Sequence, residues 1–216
     1  MQNIGAYGVE IKDVFEKLEA LHIQTGEIHT FTNKECEFGY RESVFKRKLK
    51  GQYVITQVYF RLKKQPNLNT SYGAIDTELA KMGIANPSVK DVSNAVISIR
   101  SSKLPNPKEI GNAGSFFKNP VVDQSVYQKI AQKYDSVPNY PAENGAVKLA
   151  AGWLIEQTGW KGKTKGHYGV HKLQALVLVN YGGATGAEIY DLSTEIIEKV
   201  KAEFGVTLER EVNIYL

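Results

Sequence analysis

Ser115 stands between Gly114 and the aromatic pair Phe116 and Phe117, with Lys118 and Asn119 directly behind, in the stretch GNAGSFFKNP at residues 111 to 120. A surface turn has no need of paired aromatics, and a core strand would not hold two glycines and a polar pair, so the segment reads as a site. Gly111 and Gly114 open backbone conformations closed to other residues and let a ligand come close to the main chain. The Ser115 hydroxyl would then project from a tight, partly enclosed turn; the competing reading is a turn serine bonded to its own backbone. Lys103, ahead of PNP, and Lys118 with Asn119 add two cations and an amide, groups suited to a phosphate or a carboxylate.

Other stretches that invite chemistry fail on spacing. GKT at 162 to 164 needs a glycine at position 157 to make a phosphate loop, where Gln157 stands, and a helical segment precedes it instead of a strand. GGATG at 182 to 186 has its glycines at the wrong offsets for a dinucleotide fold. His167 and His171 are four apart, but KGHYGVHKLQ is loop-like with no acidic ligand nearby, so no metal is expected. The densest basic run, FKRKLK at 45 to 50, reads as a solvated edge, because no aromatic platform accompanies it; no nucleic-acid partner is expected. Lys and Arg number 27 against 23 Asp and Glu, a net charge of +4 that is mostly interleaved and implies only a mild preference for anionic partners. The lone Cys36 excludes an intrachain disulfide and a cysteine zinc cluster. No apolar run approaches the roughly 20 residues that span a bilayer, and the opening MQNIGAYGVEIKD lacks the blocks of a signal peptide, so a soluble cytoplasmic protein without a membrane partner is expected.

The elements that must position these residues fall into two regions. At 216 residues, 42% of them apolar, the chain has room for one large domain or two small ones. The region to about residue 103 is β-rich: IQTGEI predicts a hairpin turn at Thr25 and Gly26, and YVITQVYFRLK at 53 to 63 a strand. Ile11, Val14, Phe15, Leu18 and Leu21 carry helical spacing, so periodicity alone predicts a helix over 11 to 21. TNKE at 32 to 35 is a capping box expected to open a short helix carrying Cys36. After the loop KKQPNLNTSYG helices dominate. Ser88 caps one with the stripe Val89, Val92, Val96 and Ile99, Asp123 opens a second, a third covers about 146 to 157, and Thr185 with Glu188 caps a long helix ended by Gly205. LQALVLVN and VTLEREVNIYL read as strands, making the second region α+β.

QNIGAYGVE, FGYRESVFK, SSKLPNPK, GNAGSFFKNP, VPNYPAENGAVKLAAGWLIEQTGWKG and LEREV, taken together and in order from residue 2 to about 214, resemble the UDP-N-acetylenolpyruvoylglucosamine reductases, also called UDP-N-acetylmuramate dehydrogenases. The resemblance implies an α+β chain: residues 1 to 103 as the remainder of a PCMH-type FAD-binding domain, and 104 to 216 as the C-terminal substrate-binding domain. It further implies a cytoplasmic flavoenzyme of bacterial peptidoglycan synthesis. NADPH reduces FAD, and the flavin passes hydride to UDP-N-acetylglucosamine enolpyruvate, giving UDP-N-acetylmuramate. On this likeness Ser115 is the proton donor, and Arg41 in GYRES and Glu211 in LEREV are the other catalytic positions. Without it, Arg41 reads as a surface ion pair and Glu211 as an exposed strand residue.

The chemistry asks for such a trio. Hydride addition leaves a carbanion next to a carboxylate, so negative charge builds where a guanidinium can grip it and a hydroxyl can protonate it. A protonated Glu211 would donate to that charge, and an ionised one would oppose it. The likeness also matches Tyr72 in SYG to a loop tyrosine that closes over the nucleotide sugar, and Lys103, Asn119 and Gln174 to polar substrate-binding positions. Gln2, Asn3, Ile4, Gly5, Ala6 and Tyr7 match the end of the flavin-binding region. The family carries the rest of that region ahead of this stretch. The chain is therefore expected to be N-terminally truncated relative to the family, with strands over 9 to 63 short of partners, and a non-catalytic UDP-sugar-binding remnant is the alternative function.

Overall fold

The structure, a computed structural model, describes residues 1–215. The chain divides into two compact units, the first ending at Ile99 and the second starting at Arg100. In the first, Gly5–Ala6 (β1) and Val9–Glu10 (β2) form a small hairpin. Phe15–His22 (β3) is then the centre of a three-stranded antiparallel sheet, flanked by Ile28–Thr32 (β4) and Tyr53–Phe60 (β5). The predicted hairpin turn is present: Gly26, at φ 73°, donates its N–H to the His22 carbonyl.

The helix suggested over 11 to 21 does not form; a 3-10 turn at Ile11–Asp13 leads directly into β3. The register of β3 against β5 shifts between Phe15 and Lys17 and again between Glu19 and Ala20. Such bulges break strict alternation. Phe15, Leu18 and Ala20 are thus the buried residues of a strand, and the three-residue step from Phe15 to Leu18 across the bulge imitates a helix. The TNKE box also forms its bonds without a helix: the Glu35 carboxylate accepts from the Thr32 N–H at 2.8 Å and hydroxyl at 2.6 Å. The turn ends at once because Glu37 takes φ 46° and the Cys36 carbonyl is claimed by the Val44 N–H.

Phe15, Leu18, Ala20 and Cys36 make the core of this sheet, with Phe31, Phe45, Tyr53 and Ile55 packed against them. A separate cluster joins Ile75 and Leu79 of α1 (Ile75–Lys81) to Ala95 and Ile99 of α2 (Val89–Lys103). Ser88 and Asp91 bond reciprocally at the start of α2, whose Val92, Val96 and Ile99 face α1 while Val89 is exposed.

In the second unit Gly111–Ser115 (β6) edges a four-stranded sheet, and Val121–Val122 (β7), Asn139–Pro141 (β8) and Val147–Leu149 (β9) form a three-stranded one with β9 central. The first sheet is completed by Thr164–Lys165 (β10), Tyr168–Val170 (β11) and Val177–Asn180 (β12), which pairs with β6. The helices are α3 (Gln124–Ala131), α4 (Ala151–Gln157) and α5 (Gly186–Phe204). The helix expected from about 146 begins only at Ala151, because residues 147 to 149 find strand partners on both sides. α5 has both predicted ends, a Thr185–Glu188 capping box and Gly205 in the left-handed conformation at φ 68°. Of the strands expected in LQALVLVN and VTLEREVNIYL, the first shortens to β12, and the second pairs only at Arg210, opposite Phe117. Leu149, Leu154, Ile155, Leu192, Ile196 and Val200 are among the residues of a large continuous core.

The two units carry separate reporters. Cys36 is buried in the first, and burial, aided by the nearby Glu35 charge, pushes its thiol up to about 11. A thiol in that state is inert until its surroundings open. Both tryptophans, Trp153 and Trp160, lie in the second. In a urea titration, Cys36 is expected to become reactive toward a thiol reagent below the midpoint of the tryptophan transition, since its sheet has the smaller core. Coincident transitions would mean that the units unfold as one.

Candidate active site

In the first unit the loop that carries Arg41 is a turn from Gly39 to Glu42, closed by the Glu42 N–H on the Gly39 carbonyl at 3.2 Å. Arg41 holds φ 55°, a left-handed conformation that costs a non-glycine residue about 1–2 kcal/mol. Its Nη2 donates to the Gly5 carbonyl at 2.8 Å, and its guanidinium lies 5.3 Å from the ring centre of Tyr40. The segment Gln2 to Tyr7 is bound to the same loop. Gln2 Oε1 accepts from Lys46 Nζ at 2.9 Å; buried Asn3 donates to Glu10 and to the Gly39 carbonyl and accepts from the Lys12 N–H. A Cβ on Gly5 would come within 2.9 Å of Glu10 Cγ, so only glycine fits beside that side chain. Ile4 and Ala6 are exposed, and the Tyr7 ring meets Tyr72 edge-on, centroids 6.3 Å apart. The structure therefore brings Arg41 together with Gln2, Asn3 and Gly5, and Tyr7 together with Tyr72.

In the second unit Ser115 ends β6 opposite Val177. Gly114 before it takes φ 72°, its N–H held by Asn112 Oδ1 at 3.0 Å, while Phe116 donates its N–H to the Leu176 carbonyl at 2.7 Å. Phe116 and Phe117 are both buried, their rings 5.4 Å apart. The aromatic pair thus anchors the segment in the core while Ser115 stays exposed. On the other side the Glu211 N–H donates to the Phe116 carbonyl at 2.8 Å and the Lys118 N–H to the Glu209 carbonyl at 2.9 Å. That pairing sets half-buried Glu211 on the segment next to Ser115.

Asn119 and Gln174 each lie beside the start of α4. Asn119 Oδ1 accepts from the Ala151 N–H at 3.0 Å, and Gln174 Oε1 accepts from the Leu176 N–H and sits 3.4 Å from where a Cβ on Gly152 would be. Lys103 is the exposed last residue of α2. Lys118, read from its position as a group for an anionic ligand, is instead buried with its ammonium on the Glu209 carboxylate. A buried cation needs such a counter-charge. His171 is also buried, which holds its imidazole below the usual value, and Lys172 adds to the effect. Among the described residues no group of three or more His, Cys, Asp or Glu side chains gathers as a metal site.

Two residues that sequence reasoning passed over shape these segments. Lys46 bridges the Arg41 carbonyl and Gln2. Arg210 donates through Nε to Ser193 Oγ at 2.7 Å and through Nη2 to Thr194 Oγ1 at 2.6 Å, and lies over the Tyr190 ring, clamping the segment of Glu211 to α5. In the sequence Arg210 is simply the cation between the two glutamates of VTLEREV, and its partners on α5 lie 16 and 17 positions away.

An α+β unit with this paired segment is a known domain type: residues 106–215 match the family model described as UDP-N-acetylenolpyruvoylglucosamine reductase, C-terminal domain. Curated relatives named UDP-N-acetylenolpyruvoylglucosamine reductase match nearly the whole chain, at 56% identity over 215 residues in Flavobacterium johnsoniae, 55% over 214 in Amoebophilus asiaticus and 52% over 215 in Pseudomonas savastanoi pv. phaseolicola. The matches cover 99%, 99% and 100% of this chain but only 64%, 63% and 63% of those proteins, so the chain spans less than two thirds of their length. The crystal structure of UDP-N-acetylenolpyruvylglucosamine reductase from Thermus caldophilus superimposes with a TM-score of 0.58 at 23% identity, covering 100% of this chain and 58% of that one, a likeness of fold. The chain belongs to the UDP-N-acetylenolpyruvoylglucosamine reductase family. Among the described residues no helix is long and apolar enough to cross a membrane.

Proposed function

We propose that this chain is the catalytic and substrate-binding part of an NADPH-using flavoenzyme that reduces UDP-N-acetylenolpyruvoylglucosamine to UDP-N-acetylmuramate for bacterial peptidoglycan, in the cytoplasm. In this reading residues 1 to 103 are what remains of a PCMH-type FAD-binding domain, and 104 to 216 are the substrate-binding domain. The observation that carries it is the pairing of Phe116 with Glu211, which sets a serine and a carboxyl group on neighbouring segments of one unit.

FAD fits the residues at the start of the chain in part. Exposed Ile4 and Ala6 on either side of Gly5 offer a short apolar strip of backbone, and Arg41 lies on the Gly5 carbonyl as a cation at its edge. Gln2 to Tyr7 would be among the residues that hold the cofactor. Bound FAD would take hydride from NADPH and supply it to the enolpyruvyl double bond. Arg41 would hold the substrate carboxylate in a two-pronged grip and stabilise the charge that develops on it. Ser115 would give its proton to the adjacent carbon, a feasible donation for a hydroxyl because the carbanion is a strong base. Glu211 assists while it carries its own proton, as a hydrogen-bond donor to the same charge. Lys103, Asn119 and Gln174 would surround the nucleotide diphosphate, and Tyr72 would cover the sugar.

The share of the relatives' length that the chain spans favours a second reading, a UDP-sugar-binding piece without flavin chemistry. Titration of the purified chain with FAD, followed by flavin absorbance after gel filtration, separates the two. Flavin retained at one per chain supports the reductase. Flavin washing through, with UDP-sugar binding intact by calorimetry, supports the second reading.

A further inference from the structure

We infer that Lys46 is a positioning residue for Arg41: its ammonium ties the Arg41 backbone to Gln2 and so aims the guanidinium at the substrate carboxylate. The inference rests on the role proposed above for Arg41. Lys46 Nζ donates to the Arg41 carbonyl at 3.2 Å and to Gln2 Oε1 at 2.9 Å, while Glu42 Oε1 is 4.0 Å away. Its side chain is only 26% exposed. Its two short bonds go to neutral oxygens, and the Glu42 carboxylate stands farther off, at the limit of an ion pair.

The reason lies in the turn it serves. Arg41 occupies a left-handed conformation that its side chain disfavours, so the peptide after it would relax by rotating its carbonyl. Lys46 holds that carbonyl. It can do so because its own backbone is fixed: the Val44–Lys46 turn starts at Ser43, which is fully buried with its hydroxyl on the Met1 carbonyl, and buried Val44 donates its N–H to the Cys36 carbonyl. With Nη2 on the Gly5 carbonyl at the far end, Arg41 is held at both backbone and guanidinium. A long flexible stem with three donors suits a bridge between two acceptors.

The test compares two ligands by calorimetry: UDP-N-acetylenolpyruvoylglucosamine, which carries the carboxylate, and UDP-N-acetylglucosamine, which does not. Lys46→Met is expected to lower affinity for the first about ten-fold or more, as loss of an aimed charge-assisted bond would. It should leave the second unchanged, and Lys46→Arg should recover part of the loss. Equal loss for both sugars would reduce Lys46 to general scaffolding and overturn the inference. An unchanged ratio in Lys46→Met, with the ratio lost in Arg41→Met, overturns it while sparing the role of Arg41; an unchanged ratio in both overturns both. If Lys46→Met does not fold, or the chain binds neither sugar, hydrogen exchange of the Glu42 amide in Lys46→Gln decides. Faster exchange there supports the tie to the Arg41 turn, and unchanged exchange overturns it.

Discussion

Replacing Ser115 by alanine is expected to slow reoxidation of the reduced flavin by the UDP-sugar about 10²–10⁴-fold while leaving flavin reduction by NADPH intact, the range for loss of a positioned proton donor. The experiment uses this chain joined to the segment that the Flavobacterium johnsoniae relative carries outside the match, which covers 64% of that protein. Ser115 sits at an exposed position of a strand held to β12 and, one residue on, to the segment of Glu211. Removing one oxygen there leaves the backbone bonds and both neighbouring phenylalanines in place, so the loss would be one of chemistry. Stopped-flow measurement of the two half-reactions separately is the check. Equal slowing of both would remove Ser115 from the role of donor.

Phe117→Ala is expected to have the opposite signature, a loss of about 3–5 kcal/mol of stability, as for other fully buried aromatics. Phe117 is 1% exposed, lies against the Phe116 ring and sits opposite Arg210 at an isolated bridge between its segment and that of Glu211. Its removal would leave a cavity beneath the two proposed catalytic residues. Urea denaturation followed by the fluorescence of Trp153 and Trp160 reads the change; a shift worth less than about 1 kcal/mol would mean that the core closes over the gap. Serine and phenylalanine, two residues apart, thus divide the work of GNAGSFFKNP: one is exposed for reaction and the other is sunk to hold it there.

What could be read from the sequence was mostly local. Both ends of α5, the start of α2 and the turn at Gly26 follow from bonds between residues a few positions apart. The misreadings share a cause of the other kind. β3 imitates a helix because bulges set by β5 displace its apolar residues, and residues 147 to 149 leave the expected helix because β7 and β8 pair with them. Lys118 looked available for a ligand because its counter-ion, Glu209, is 91 positions away. The left-handed turn at Arg41 and its bridge through Lys46 to Gln2 were equally out of reach, since the lysine and the glutamine are 44 positions apart. The candidate residues themselves came from the likeness of whole motifs to one family; composition and spacing alone left Arg41 and Glu211 as ordinary surface groups.

The distance between Lys118 and Glu209 also bears on when the molecule becomes competent during synthesis. Segments 116 to 118 and 209 to 211 cannot pair until the intervening 91-position stretch has been made. A nascent chain that has reached Gly205 already contains both sheets of the second unit and the whole of α5, yet has no carboxyl group beside Ser115. The order of synthesis therefore places the elements that hold Ser115 ahead of the segment that brings Glu211, and Val206 and Leu208 on that segment complete the same core.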